Sequence, residues 1–125
     1  KIDSFVEDAK EVSGVKIIAR KLDDATVDDL RKTIDILMKS AKEMAIVLGT
    51  AQDGRVTIVV AISPGLVKRG LHAGDVSKEV AKLVGGGGGG RPDMAQAGGQ
   101  WVDKLDEALR FAIELLSKKI LGVIS

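Results

Sequence analysis

Apolar residues recur at helical spacing in four stretches of the chain and run together in three others, and this change of period is the first guide to its architecture. Ile2, Phe5, Val6 and Ala9 share one helical face. Residues 2 to 12 are therefore predicted as one helix, part of a helical lead-in over residues 1–14 that Gly14 stops. Val15 to Ala19 (VKIIA) is a short β-branched run with no polar face, the pattern of a buried strand. Val27, Leu30, Ile34, Leu37 and Met38 then mark one face of a helix. Asp28 and Asp29 in its first turn, with Lys39 and Lys42 near its end, suit the helix dipole. Met44 to Gly49 (MAIVLG) and Val56 to Ile62 (VTIVVAI) flank Asp53-Gly54, a dipeptide that tolerates positive φ at both positions and predicts an antiparallel hairpin. Pro64-Gly65 breaks the strand pattern, and Val76, Val80, Leu83 and Val84 resume a helix that Gly85 ends in the left-handed cap position. A glycine-rich loop over 85–91 follows. Trp101, Leu105, Leu109, Ala112, Leu116 and Ile120 predict a closing helix over about 101–121. The sum is an α/β (α+β) domain over residues 15–125, a small mixed β-sheet covered by helices, with no internal repeat.

Composition sets limits on the chemistry. A chain of 125 residues with 45% apolar side chains is long enough to bury one core. No stretch reaches the roughly eighteen apolar residues of a membrane span, and the opening KIDSFVEDAKEV is charged from its first residue. A soluble, cytoplasmic protein without a membrane partner is expected. The chain opens on Lys1 rather than methionine and is expected to be part of a longer one. There is no cysteine and one histidine, His72, which excludes thiolate metal sites and any site needing two imidazoles. His72 alone reads as structural or incidental. Asp23, Asp24, Asp28 and Asp29 cluster around a helix start, which explains them without a metal. No Ser-His-Asp or Cys-His set can be assembled, and nothing in the chain reads as catalytic. The formal charge of +1, from 19 basic and 18 acidic side chains, provides no bulk field toward nucleic acid, so any anion site must be local.

The most unusual stretch is Leu83 to Gly99, LVGGGGGGRPDMAQAGG. Each ordered glycine costs about 0.5–1 kcal/mol relative to alanine, so a fixed run of six implies a return. Residues 85 to 90 satisfy GxGxxG trivially, but a dinucleotide fingerprint follows a strand and opens a helix, whereas this run follows a helix. No Lys-Ser or Lys-Thr comes after it, so it is no P-loop. What remains is an anion nest, in which consecutive glycine amides turn toward one concavity, with the Arg91 guanidinium beside it for phosphate oxygens. The alternative is a slack tether. The rigid Arg91-Pro92 and the small, apolar Met94 to Ala97 favour a shaped loop. Lys68, Arg69, Lys78 and Lys82 could join Arg91 in a basic rim, although Asp75 and Glu79 among them also fit an ordinary solvated face. Trp101 reads as a core anchor at the start of the closing helix, with base stacking the less economical alternative.

GGGGGGRPDMAQAGG, together with ARKLDDATVDDLRKTIDIL and AISPGLVKRGLHAGDVSKEVAKLV in this order, resembles the DHHA1-type domain found at the C-terminus of alanyl-tRNA synthetases and in DHH phosphoesterases. The resemblance covers roughly residues 15 to 121. In the phosphoesterases the glycines usually run into a histidine; here Gly90 meets Arg91-Pro92-Asp93, as in the synthetase branch. The resemblance implies a tRNA-facing module that contacts the tRNA elbow, where the D and T loops meet, and helps one tRNA serve both aminoacylation and editing. Its implied partners are tRNA(Ala), the remaining synthetase domains and, in some members, a second copy of itself. Gly86, Gly87, Gly88, Gly89, Gly90, Arg91, Lys68, Arg69, Lys78 and Lys82 are the candidate nucleic-acid-binding residues. ATP, Mg²⁺ and Zn²⁺ belong to the rest of such a synthetase, and no cofactor is expected in this chain. The substrate-binding half of a phosphoesterase and a structural or dimerisation module are the alternatives.

Overall fold

The computed structural model describes residues 2–124, so Lys1 and Ser125, the outer bounds of the two expected segments, lie outside the described residues. Six strands form one mixed sheet in the order β1-β2-β3-β4-β6-β5. They are β1 (Lys10–Val12), β2 (Val15–Lys21), β3 (Met44–Gln52), β4 (Arg55–Ile62), β5 (Gly87–Gly90) and β6 (Met94–Gly99). Only β2 and β3 run parallel, joined across the sheet by helix α2 (Val27–Leu37). The other neighbours are antiparallel. The mixed sheet covered by helices is the expected class.

Two clusters of buried side chains make the core, one on each face, because alternate residues of a strand point to opposite sides. Ile17, Ala45, Val47, Ile58 and Val60 face α4 (Ala73–Lys82) and α5 (Leu105–Ile124). Ile18, Ile46, Leu48, Val59 and Ala61 face α1 (Ile2–Glu7) and α2, whose Phe5, Leu30, Ile34 and Leu37 are buried among them. The predicted pair around Asp53-Gly54 is β3 and β4, closed by a two-residue turn with φ +53° and +74°, the left-handed pair that such hairpins require.

The predicted helix over residues 2 to 12 is corrected. It ends at Glu7, and Lys10–Val12 is an edge strand paired with β2 through Ser13-Gly14, whose φ values are +50° and +82°. Phe5 fits the helical spacing because it fills the α2 side of the core, where the Arg20 guanidinium stands 4.3 Å from its ring centroid. The Ser-Gly turn between Val12 and Val15 is the signal that outweighs a continued helix. A short helix α3 (Pro64–Lys68) occupies the break at Pro64-Gly65, with proline in its first turn. The closing helix begins later than expected: Val102–Lys104 is a single 3₁₀ turn, and α5 runs from Leu105.

Helix α2 starts on a reciprocal cap. The Asp29 backbone N–H donates to the Thr26 hydroxyl at 3.1 Å, and the Thr26 backbone N–H donates to the Asp29 carboxylate at 2.9 Å. That second bond, followed by the Thr26 side-chain bond, holds the Asp29 carboxyl below its ordinary value of 3.8. Thr26→Ala is expected to lower stability by about 1 kcal/mol in denaturant melts. Because the folded value is depressed, the stabilisation from Asp29 is present above 3.8 and is lost as pH falls through the lower folded value. Asp29→Asn is therefore expected to lower stability near neutral pH and to reduce its loss on acidification, read from melts across an acid series.

Candidate functional site

The glycine run is a strand. Gly87–Gly90 pairs antiparallel with Met94–Gly99 in the register Gly87↔Gly98, Gly88↔Ala97, Gly89↔Gln96 and Gly90↔Ala95, which makes β5 the edge of the sheet. The expected loop over 85–91, with its converging amides, is thereby corrected. In an extended strand successive N–H groups point to opposite sides, so they cannot close on one anion. Helix α4 runs alongside, and both ends of the hairpin are clasped to it. Ala73 N donates to Pro92 O and Gly74 N to Arg91 O at one end; Gln100 N and Trp101 N both donate to Val84 O at the other.

The glycines divide into two sets by what surrounds them. A Cβ on Gly86 would overlap the Gly98 backbone, and one on Gly88 would stand 2.7 Å from the Ala97 Cβ and 3.0 Å from Ser77 of α4. A Cβ on Gly74 would stand 2.6 Å from the Gly90 carbonyl oxygen, and one on Gly99 would overlap Val84. Gly74 and Gly88 hold α4 and the hairpin, and Gly99 holds the hairpin and the turn after α4, at separations no side chain fits, while Gly86 lets the chain entering β5 approach the end of β6. By contrast, nothing lies within 4 Å of a Cβ on Gly87; only the Lys78 Cε approaches one on Gly89, at 3.7 Å, and only the Val56 carbonyl one on Gly98, at 3.5 Å. Packing does not require glycine there.

Gly87 and Gly98 stand opposite each other and in line with Thr57 of β4 and Thr50 of β3, a row across four strands on the α2 side of the sheet. Helix α2 stops short of this row. Its Arg31 reaches the sheet at Met94 Sδ, 3.3 Å, and at the Gln96 Oε1, 3.2 Å, one row earlier. Thr50 is buried, and its hydroxyl has no hydrogen-bond partner among the described residues. Beyond Thr57 the uncovered corner is an open cleft of about 880 Å³, floored by Thr57, Gly98 and Gly99 and bounded by Asp53-Gly54-Arg55, Gly85-Gly86, Gln96 and Gln100. The cleft was not legible in the sequence, because Arg55, Thr57, Gln96 and Gln100 converge only through the β4–β6 pairing. The alternation of Thr57 and Gln96 with buried neighbours is the one signal that places them on a common side.

The candidate cations do not converge. Arg91 lies at the far end of the hairpin from the cleft, about 17 Å away at the usual rise of a strand. Its Nε donates to Asp93 Oδ1 at 3.0 Å, and this bond holds the Asp93 carboxyl below its ordinary value. Lys68 and Arg69 close α3, just past the end of β4 whose Ile62 N donates to Asp93 O. Lys78 lies over the edge strand at Gly89, and Lys82, exposed in the last turn of α4, lies toward the cleft end. His72 caps α4, its Nδ1 accepting the Asp75 backbone N–H at 3.2 Å. Of the acidic cluster, Asp29 caps α2, Asp28 pairs with Lys32 at 3.0 Å, and Asp24 adopts φ +52° in the turn before the helix. Trp101, expected in the core, is 53% exposed. Its backbone is tied to the carbonyl of buried Val84, just past α4, and the closing helix begins beyond it.

Comparison with known proteins places these features in a wider set. A family model described as the DHHA1 domain matches residues 14–118. An alanine–tRNA ligase of Desulfitobacterium hafniense is 50% identical over 109 residues, covering 86% of this chain and 12% of the ligase. One of Halalkalibacterium halodurans is 46% identical over 111 residues, covering 89% of this chain and 13% of the ligase. The chain thus spans about an eighth of the length of the curated relatives it matches. The crystal structure of the C-Ala domain from Aquifex aeolicus alanyl-tRNA synthetase superposes with a TM-score of 0.77 at 28% identity, over 88% of this chain and 98% of that one. No helix among the described residues is long and apolar enough to cross a membrane.

The two classes of glycine are separable by substitution. Gly88→Ala is expected to destabilise by about 1–3 kcal/mol through overpacking against Ser77 and Ala97. Gly87→Ala, in open space, is expected to be neutral or to stabilise by up to about 1 kcal/mol by restricting the unfolded chain. Denaturant melts of the two variants read the difference.

Proposed function

Since the chain belongs to the DHHA1 family, in the form carried at the C-terminus of alanine–tRNA ligases, we propose that it is the tRNA-binding module of such a ligase. The observation that carries the reading is the row Thr57–Gly98–Gly87. It is an uncovered strip of sheet whose glycines no internal contact requires, beside an open polar cleft. A backbone without side chains admits close approach by a bulky phosphodiester chain, and Arg55 and Lys82 stand at the same end to meet its charge. The partner is tRNA(Ala), held at its elbow, so that one tRNA serves both the aminoacylation and the editing site of the cytoplasmic parent enzyme. The chain itself performs no chemistry in this reading. With one histidine and no cysteine it cannot supply a zinc site of the thiolate or multi-imidazole kind, so Zn²⁺, like ATP and Mg²⁺, is assigned to the other domains.

A net charge of +1 makes the binding weak and salt-sensitive. A gel-shift titration against tRNA is expected to show complexes at low salt that dissociate at high salt; no complex at low salt would overturn the proposal. Gly87→Val is expected to weaken binding at unchanged melting temperature, because the added side chain stands where the RNA approaches. Lys82→Ala is expected to reduce the slope of log affinity against log salt by about 1. Sedimentation with and without tRNA separates this reading from a purely dimerising module, whose behaviour would follow protein concentration and not RNA.

A further inference from the structure

We propose that the outward face of Trp101 is a stacking platform for one unstacked RNA base at the rim of the cleft, an inference that rests on the RNA-binding reading above. The indole is held in place on its inner side. Gln100 N and Trp101 N donate to the same Val84 oxygen, at 2.8 and 3.0 Å, and Lys104 N donates to Trp101 O at 3.0 Å. Gly85, at φ +69°, lies directly against the ring: a Cβ there would stand 2.6 Å from both Cδ2 and Cε2. Those two atoms form the fused bond inside the bicycle. A point equally close to both, with Cε3 at 3.0 Å, can be reached only from above the ring plane. Gly85 therefore covers one face of the indole, and the 53% of Trp101 that remains exposed includes the other.

The surroundings select a base over other flat or apolar occupants. Val102, 41% exposed, is the large apolar side chain next to it in the chain, and the two together are far smaller than the roughly 800 Å² per partner of a stable protein interface. The neighbouring cleft is polar. Gln100, adjacent in sequence, and Gln96 both line it; the Gln100 amide offers donors and an acceptor to the edge of a base, and Gln96, whose Oε1 already accepts from Arg31, offers its N–H donors. Asp53 adds an acceptor for an exocyclic amino group. Arg55, exposed and without an ion pair among the described residues, is the cation that the adjoining phosphate meets. A nucleotide supplies all three complements at once: a π face, a hydrogen-bonding edge and a negative charge.

The chain reports on this site by itself, since Trp101 is its one tryptophan and it has no tyrosine. Titration of the whole chain at low salt with a short single-stranded oligoribonucleotide is expected to quench indole emission saturably. An abasic strand of the same length and charge is expected to leave the emission unchanged. In anisotropy titrations of labelled tRNA, Trp101→Leu, which keeps an apolar cover on Gly85 but lacks a π face, is expected to weaken binding about 5- to 150-fold. Trp101→Phe is expected to recover most of that loss, with melting temperatures close to the parent's. Failure of the oligoribonucleotide to quench, equal quenching by the abasic strand, or full affinity in the leucine variant would overturn the platform. If tRNA still binds in those cases, the RNA-binding reading stands without it. If the parent chain binds no tRNA at low salt, both fall.

Discussion

The arrangement of this domain depends on one close contact, that of helix α4 with the β5–β6 hairpin across positions that have no Cβ. Gly74 on the helix, Gly86 just before the edge strand, Gly88 on that strand and Gly99 on its partner each stand where a side chain would collide with facing backbone or with Ala97. A strand made of four glycines has no side chains to bury and no intrinsic preference for the extended state. It is ordered because β6 satisfies its backbone on one side and α4 lies against it. The hydrogen bonds at the two ends, to Pro92 and Arg91 and from Gln100 and Trp101, set the angle between helix and hairpin. The position of Trp101 and the shape of the cleft follow from that angle.

The two faces of the sheet are covered unequally, and the cleft is the consequence. The 20-residue α5 joins α4 in burying one face, from Ile17 to Ala97. On the other, the 11-residue α2 and the short α1 cover β2, β3 and part of β4, and Arg31 marks the limit by reaching out to Met94 and Gln96. Beyond it the sheet changes composition from Ile46, Leu48 and Val59 to Thr57, Gly98 and Gly87. Apolar side chains would have been left in water there; threonine and glycine leave little to cover.

Charge is arranged locally. Arg91 is held by Asp93, Lys32 by Asp28 and Lys119 by Glu79, while Arg55 and Lys82 at the cleft end enter no ion pair among the described residues. With positive and negative side chains nearly balanced over the whole chain, attraction to a polyanion is short-ranged, and shape at the cleft decides what approaches closely. The paired Arg91 adds to the stiffness of the 91–93 turn more than to its field.

Where a segment carries its own period or its own cap, the sequence by itself determined its structure. Leu30, Ile34 and Leu37 define α2, Asp53-Gly54 closes the β3–β4 hairpin, and Gly85 ends α4 with φ +69°. Each is a local signal, read from neighbours within a few residues. Six glycines have no period, so whether they hang as a loop or extend as a strand is decided by Ala97, Ser77 and the backbone of α4, which come to them from elsewhere in the chain. The same holds for Lys10–Val12, too short to declare itself until β2 pairs with it, and for Arg91, whose charge was visible but whose partner two residues on depends on the turn. Trp101 shows the limit most plainly. Its hydrophobicity argued for the core, but the carbonyl of buried Val84 fixes its backbone just past α4 and Gly85 covers only one side of its ring, so the tertiary structure leaves the other face to water.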